Sequence, residues 1–195
     1  DLWVTPDALP SDPSASSLWG ALGPANGAPY GIDAIGAWPT TRGAGITVAV
    51  IDTGILAHPD LSGQTVPGYD FIWDTDMSND GDGRDADPSD PGDWVSAADA
   101  AGALAGCSVG NSSWHGTHVA GTIAAAAGNG VGIFGAAPDA QIQPVRVLGK
   151  CGGYLSDISD AIIWAAGGPV SGVPANQTPA GVLNLSLGGM SSCPT

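Results

Sequence analysis

Three short segments that read as strands constrain the fold of this chain more than any other feature: Ala44-Gly45-Ile46-Thr47-Val48-Ala49-Val50-Ile51, then Ile142 to Leu148, then Val182 to Leu187. Each has the length of a strand, and none approaches the ~20 residues that a membrane helix needs. The first is apolar at nearly every position, where a half-buried strand would alternate, so it reads as a parallel strand covered on both faces. Helix-patterned segments alternate with these runs. His115 to Ala127 is a small-residue helix, and Ser156 to Ala166 is a helix broken by Gly167-Gly168-Pro169. Strand and helix in regular succession give right-handed crossovers. The expected fold is therefore α/β, a parallel doubly wound sheet with helices on both faces. Sites in such sheets collect at the carboxyl ends of strands, and Asp52 stands at one.

The remaining chain carries no such period. Residues 1–29, rich in Pro, Ser and Ala, read as an extended arm laid over the core, and Ile32 to Trp38 as a short helix ended by Pro39. Residues 70–93 hold nine Asp among Gly, Pro and Ser and read as an acidic loop. The whole chain has four Lys and Arg against nineteen acidic residues, all Asp, for a formal charge of −15. That balance excludes the basic footprint of a nucleic-acid binder and would repel an anionic membrane surface. Asp without Glu points to turns, caps and metal loops, where a short carboxylate bonds its own backbone or grips a cation. At 195 residues the length suits one domain, and a start at Asp1 is read as an exported chain whose signal and pro-segment have been removed.

Asp52-Thr53-Gly54 ends the first strand, and His115-Gly116-Thr117-His118-Val119-Ala120-Gly121 opens a helix. A carboxylate on a rigid strand end and an imidazole on a helix start suit a general base and its orienting group. The spacing also permits a metal site built from His115, His118 and Asp52. Cys107, Cys151 and Cys193 lack metal-ligand spacing, and one is left over if two pair.

Longer patterns favour the first reading. Val48-Ala49-Val50-Ile51-Asp52-Thr53-Gly54-Ile55, His58-Pro59-Asp60-Leu61, His115 through Ala124, Gly135-Ala136-Ala137-Pro138, Val145-Arg146-Val147-Leu148 and Asn184-Leu185-Ser186-Leu187-Gly188-Gly189 resemble, in order, the subtilisin-like serine proteases, or subtilases. The resemblance runs from about Asp12 to the end of the chain. It implies that Asp52 is the carboxylate of an Asp-His-Ser triad and His115 its general base, with His118 structural. It also implies that Ser186-Leu187-Gly188 and Gly152-Gly153 form two walls of a cleft that pairs with an extended peptide.

One part of the family pattern is missing. The nucleophilic serine motif does not occur, nor does the oxyanion Asn that follows the Asn-Leu-Ser-Leu-Gly-Gly block in the family. Ser186 lacks a Gly-x-Ser-x-Gly elbow, and Ser112 and Ser113 fall in a loop before His115. The chain is accordingly expected to be the N-terminal part of one peptidase domain, inactive alone, with the serine on a C-terminal fragment that is its partner. By resemblance to a cysteine-containing bacterial branch of the family, Cys107 pairs with Cys151, which leaves Cys193 for that fragment. A non-catalytic calcium-binding module on the same scaffold is the alternative.

The resemblance also implies calcium. A first Ca²⁺ site matches Asp12, Asp60, the Asn129 side chain and the carbonyls of Ala126, Val131 and Ile133, an all-oxygen set that would pin the arm to the core. A second is expected in Asn79-Asp80-Gly81-Asp82-Gly83-Arg84-Asp85-Ala86-Asp87, with Asp80, Asp82, Asp85, Asp87 and the Arg84 carbonyl as ligands. It lacks the bidentate Glu of an EF-hand, so an EF-hand is rejected.

Overall fold

A computed structural model describes residues 8–189. Four parallel strands form the sheet: β1 (Thr47–Asp52), β2 (Tyr69–Asp70), β3 (Gln141–Arg146) and β4 (Val182–Asn184), in the order β2-β3-β1-β4. The helices are α1 (Ala34–Ala37), α2 (Thr75–Ser78), α3 (Ala97–Ala101), α4 (His115–Ala124) and α5 (Leu155–Ala165).

The continuous apolar run of β1 has the role its pattern predicts. Val48 and Val50 pack with Ile142 of β3 against Val119, Ala120 and Ala124 of α4. Ala49 and Ile51 point the other way, with Val145 and Val147, onto Ala161, Trp164 and Ala165 of α5. Both faces are thus covered, and each fully buried aliphatic side chain contributes ~1.5–3 kcal/mol. Tyr69, Phe71 and Trp164 extend the α5 side with ring centroids 5.1–5.7 Å apart.

Several boundaries differ from expectation. β1 begins at Thr47 because Gly43 and Gly45 both take positive φ and Ile46 closes a turn onto the Gly43 carbonyl. β4 is short, and its Val182 is 49% exposed, because among the described residues it pairs only with β1 and forms the edge of the sheet. The arm is not merely extended: it makes two 3₁₀ turns and buries Ala15, Leu22 and Ala28 with Ile35 and Phe134 as a small core of its own.

The acidic segment is also more ordered than a loop. It starts on the last residue of β2 and contains α2, and its carboxylates repeatedly accept the N–H two residues on: Asp70 from Ile72, Asp74 from Asp76, Asp80 from Asp82, Asp85 from Asp87, Asp87 from Ser89 and Asp90 from Gly92. These Asx turns explain why the segment is built from Asp, whose short side chain reaches its own backbone. Each of the four cations is paired with Asp. Arg146 meets Asp70 and Asp80, Arg84 meets Asp157 and Asp160, Lys150 meets Asp99 and Arg42 meets Asp139.

Candidate active site

β1 and β3 run in register to their carboxyl ends, where Asp52 stands opposite Arg146. The backbone carbonyl of Asp52 accepts the N–H groups of Val147 and Leu148, so the residue is anchored by the strand beside it. Its carboxylate is fully buried and accepts the Thr53 N–H at 2.7 Å. Across the gap, α4 begins at His115. The Nδ1 of that ring lies 2.8 Å from Asp52 Oδ1 and 2.9 Å from Oδ2, while the side chain remains 43% exposed.

The approach of α4 to β1 depends on Gly116. A Cβ there would stand 2.3 Å from the Gly54 carbonyl oxygen and 3.2 Å from the Asp52 Cβ, so only glycine lets the helix start so close to the strand end. Trp114 before it takes a left-handed φ of 53°, a cost of ~1–3 kcal/mol that turns the chain abruptly into the helix. Gly116 also donates its N–H to the Thr53 hydroxyl at 3.0 Å. Thr53 therefore ties strand end and helix start together.

An open cleft of 440 Å³ adjoins His115. Thr53, Asp93, Ser113, Leu148, Gly149, Cys151 and Gly152 help to line it. Gly149 and Gly152 exchange backbone hydrogen bonds of 2.8 and 3.1 Å, forming a tight turn in which Cys151 and Gly152 take positive φ. That turn is pinned by the Cys107–Cys151 disulfide, whose Cα atoms are 5.7 Å apart, as the resemblance implies. Gly153, the next residue, is not among those that line the cleft; a Cβ there would stand 2.1 Å from the Val147 carbonyl oxygen. Ser186, Leu187 and Gly188 lie beyond β4 and are not among the residues that line this cleft. Leu187 packs on the α5 side of the core, and Ser186 accepts a hydrogen bond from Asn184. Cys193 lies outside the described residues.

His118 is exposed, and the described residues contain no group of three or more His, Cys or Asp side chains gathered to hold a metal ion. The metal reading of His115, His118 and Asp52 is thereby corrected: residues three apart on a helix differ by about a sixth of a turn, and only His115 meets Asp52.

Of the second calcium set, Asp80, Asp82, Asp85 and Asp87 line one 470 Å³ cavity; Asp80 accepts the Asp82 N–H and pairs with Arg146, Asp85 accepts the Asp87 N–H and Asp87 that of Ser89, while the Arg84 side chain pairs with Asp157 and Asp160. The first set is brought together with a different polarity. Asp12 accepts N–H groups from Gly128 and Asn129, and Asp60 accepts from the Asn129 side chain at 2.9 Å and from Ile133 N–H at 2.9 Å. Val131 gives its N–H to Asn129 Oδ1, and Ala126 gives its N–H to the Asp60 carbonyl. Ala126, Val131 and Ile133, whose carbonyls are the expected ligands, thus join the same cluster as Asp60 and Asn129 through their N–H groups. Asp12 and Asp60 are 4% and 2% exposed, and neither is ion-paired among the described residues. Two buried carboxylates beside an amide, without a cationic side chain, retain the hard-oxygen character that suits Ca²⁺.

Comparison with known proteins agrees with this geometry. The chain is 52% identical over 186 residues to an extracellular protease of Xanthomonas campestris pv. campestris, covering 95% of this chain and 31% of the relative. It is 50% identical over 195 residues to the extracellular basic protease of Dichelobacter nodosus, covering 99% and 32%. It thus spans about a third of the length of these curated relatives. A solved structure titled as proteases from Pseudoalteromonas arctica PAMC 21717 superposes with a TM-score of 0.85 at 49% identity, covering 96% of this chain and 53% of that one. Residues 43–194 match the profile of the subtilase family, and with the buried strand-end Asp52 bonded to the helix-start His115, the chain belongs to that family.

Proposed function

We propose that the chain supplies the Asp-His half of an exported, calcium-stabilised serine endopeptidase, which hydrolyses peptide bonds with a serine outside these 195 residues. The observation that carries the proposal is the contact of Asp52 with His115 Nδ1. A buried carboxylate there holds the proton on Nδ1 and stabilises the imidazolium that forms. Nε2, on the opposite edge of a partly exposed ring, is then the free base. It takes the proton of the serine hydroxyl as the oxygen attacks the scissile carbonyl, and later passes that proton to the leaving amine.

Among the described residues no serine hydroxyl bonds the His115 ring. Ser113, the nearest in sequence, spends its hydroxyl on Asp93 at 2.8 Å. This supports a nucleophile on a C-terminal partner segment, to which Cys193 would be disulfide-linked. The share of the relatives that the chain spans agrees with such an arrangement. Extended peptides would pair with the backbone of Gly152-Gly153 on one side and Ser186-Leu187-Gly188 on the other. Export is supported by the relatives' names and by the Cys107–Cys151 disulfide, which persists in oxidising compartments. Calcium held by Asp12, Asp60 and Asn129 would neutralise two buried carboxylates and fasten the arm to the loop after α4.

A fluorophosphonate probe applied to the full-length polypeptide tests the reading. It labels one serine, located by mass, and His115→Ala slows labelling by about 10³-fold or more. A folded wild-type protein that takes no label would instead mark a non-catalytic calcium-binding module.

A further inference from the structure

We infer that Asp90 is a positioning residue for the catalytic pair, acting through Thr53; the inference rests on the hydrolase reading above. Thr53 is 3% exposed and bonds Asp52 and the residue after His115. Its N–H donates to Asp52 Oδ1 at 2.7 Å, and its hydroxyl oxygen accepts the N–H of Gly116, the residue after His115, at 3.0 Å. A threonine hydroxyl has a single proton. It presents a lone pair to Gly116 only if that proton points elsewhere.

Asp90 determines where it points. Asp90 Oδ2 lies 2.7 Å from Thr53 Oγ1, and an ionised carboxylate can only accept, so the hydroxyl proton is directed to Asp90 and a lone pair is left for Gly116. The other oxygen, Oδ1, accepts Gly92 N–H at 2.8 Å and keeps the carboxylate from rotating away. The backbone joins the same assembly: Asp90 N–H donates to the Ile55 carbonyl at 3.0 Å, and Ile55 N–H to that of Pro88 at 3.1 Å. The end of the acidic segment is thus laced to the turn that follows Asp52.

Asp90 is 4% exposed, and no cationic side chain bonds it among the described residues. Burying such a charge costs stability, so local folding alone does not ask for it. An amide cannot replace it. With its oxygen on Gly92, an Asn would turn its NH₂ toward Thr53 and leave the hydroxyl proton without its acceptor. With its oxygen on Thr53, it would lose Gly92. Either arrangement loosens the start of α4, where His115 is the first helical residue.

The test uses the full-length protein with Asp90→Asn, Thr53→Val and Thr53→Ser. The expected result for Asp90→Asn and Thr53→Val is a kcat lower by about 10- to 100-fold at nearly unchanged KM. The downfield proton resonance of the His115–Asp52 hydrogen bond should broaden or shift in both. Thr53→Ser, which restores a hydroxyl, recovers most of the loss. Asp90→Asn with wild-type kcat and an unchanged resonance overturns the inference, and so does Thr53→Ser behaving like Thr53→Val. If wild-type protein takes no fluorophosphonate label, the hydrolase reading fails instead, and the resonance in the same three variants still decides whether Asp90 positions His115.

Discussion

Arg146 bonds Asp70 across the adjoining ends of β3 and β2, with both side chains only 1% exposed. The same guanidinium reaches Asp80 and the Ser78 carbonyl, so one buried cation gathers the start of the acidic segment beneath the Asp52 turn. Truncation would leave Asp70 buried and without its cation. Arg146→Met should therefore destabilise the fold by ~3–5 kcal/mol. Arg146→Lys should recover little, because an ammonium cannot reproduce the fork. Denaturant midpoints of the folded protein check both.

Asp52→Asn in the full-length protein should preserve the fold and lower kcat by about 10⁴-fold. The amide cannot stabilise the imidazolium and favours the wrong tautomer of His115. Active-site titration separates this loss from a loss of folded enzyme.

Gly116→Ala should act on position more than on chemistry. The added Cβ meets the Gly54 carbonyl oxygen at 2.3 Å, and backbone must move to admit it. A stability loss of ~1–3 kcal/mol is expected, with kcat falling more than KM rises. Thermal unfolding and steady-state kinetics on one preparation measure the two effects.

The Asp99 carboxyl is held below the ordinary carboxylate range, first by the Ser96 N–H, then by the Ser96 hydroxyl and by Lys150. With a folded-state value below the unfolded one, its stabilisation is present above the unfolded value of ~3.9 and is lost as pH falls through the lower folded value. Protonation opens the Ser96–Asp99 capping box of α3 and frees Lys150, whose Nζ lies 3.2 Å from Asp99 and 3.9 Å from the centroid of Trp94. Trp94 fluorescence should report an acid transition below pH 4, and Asp99→Asn should abolish it.

Calcium should raise the unfolding temperature of the full-length protein, and Asp60→Asn should remove most of that increment while changing little in chelator. Equal losses with and without calcium would refute a cation at Asp12 and Asp60.

The strand pattern made most of the sheet legible, because the nearly continuous apolar run from Ala44 to Ile51 fits a strand covered on both faces. Asp52 and His115 were legible for a related reason: each sits at an element end that the local pattern marks. Thr53–Asp90, Arg146–Asp70 and Arg84–Asp157 were not, since their partners lie 37, 76 and 73 residues apart and no local period links them. The Asx turns were legible in part, because an Asp side chain is short enough to accept the N–H two residues on.

By itself, then, the sequence determined the principal strands β1, β3 and β4, the helices α4 and α5, and the candidate pair Asp52 and His115, because burial period and element ends are local properties. Only the tertiary structure decided how the acidic segment is used. Asp90, Asp70 and Asp80 acquire their roles from Thr53 and Arg146, which reach them only when the sheet aligns its carboxyl ends and α4 closes onto Gly54.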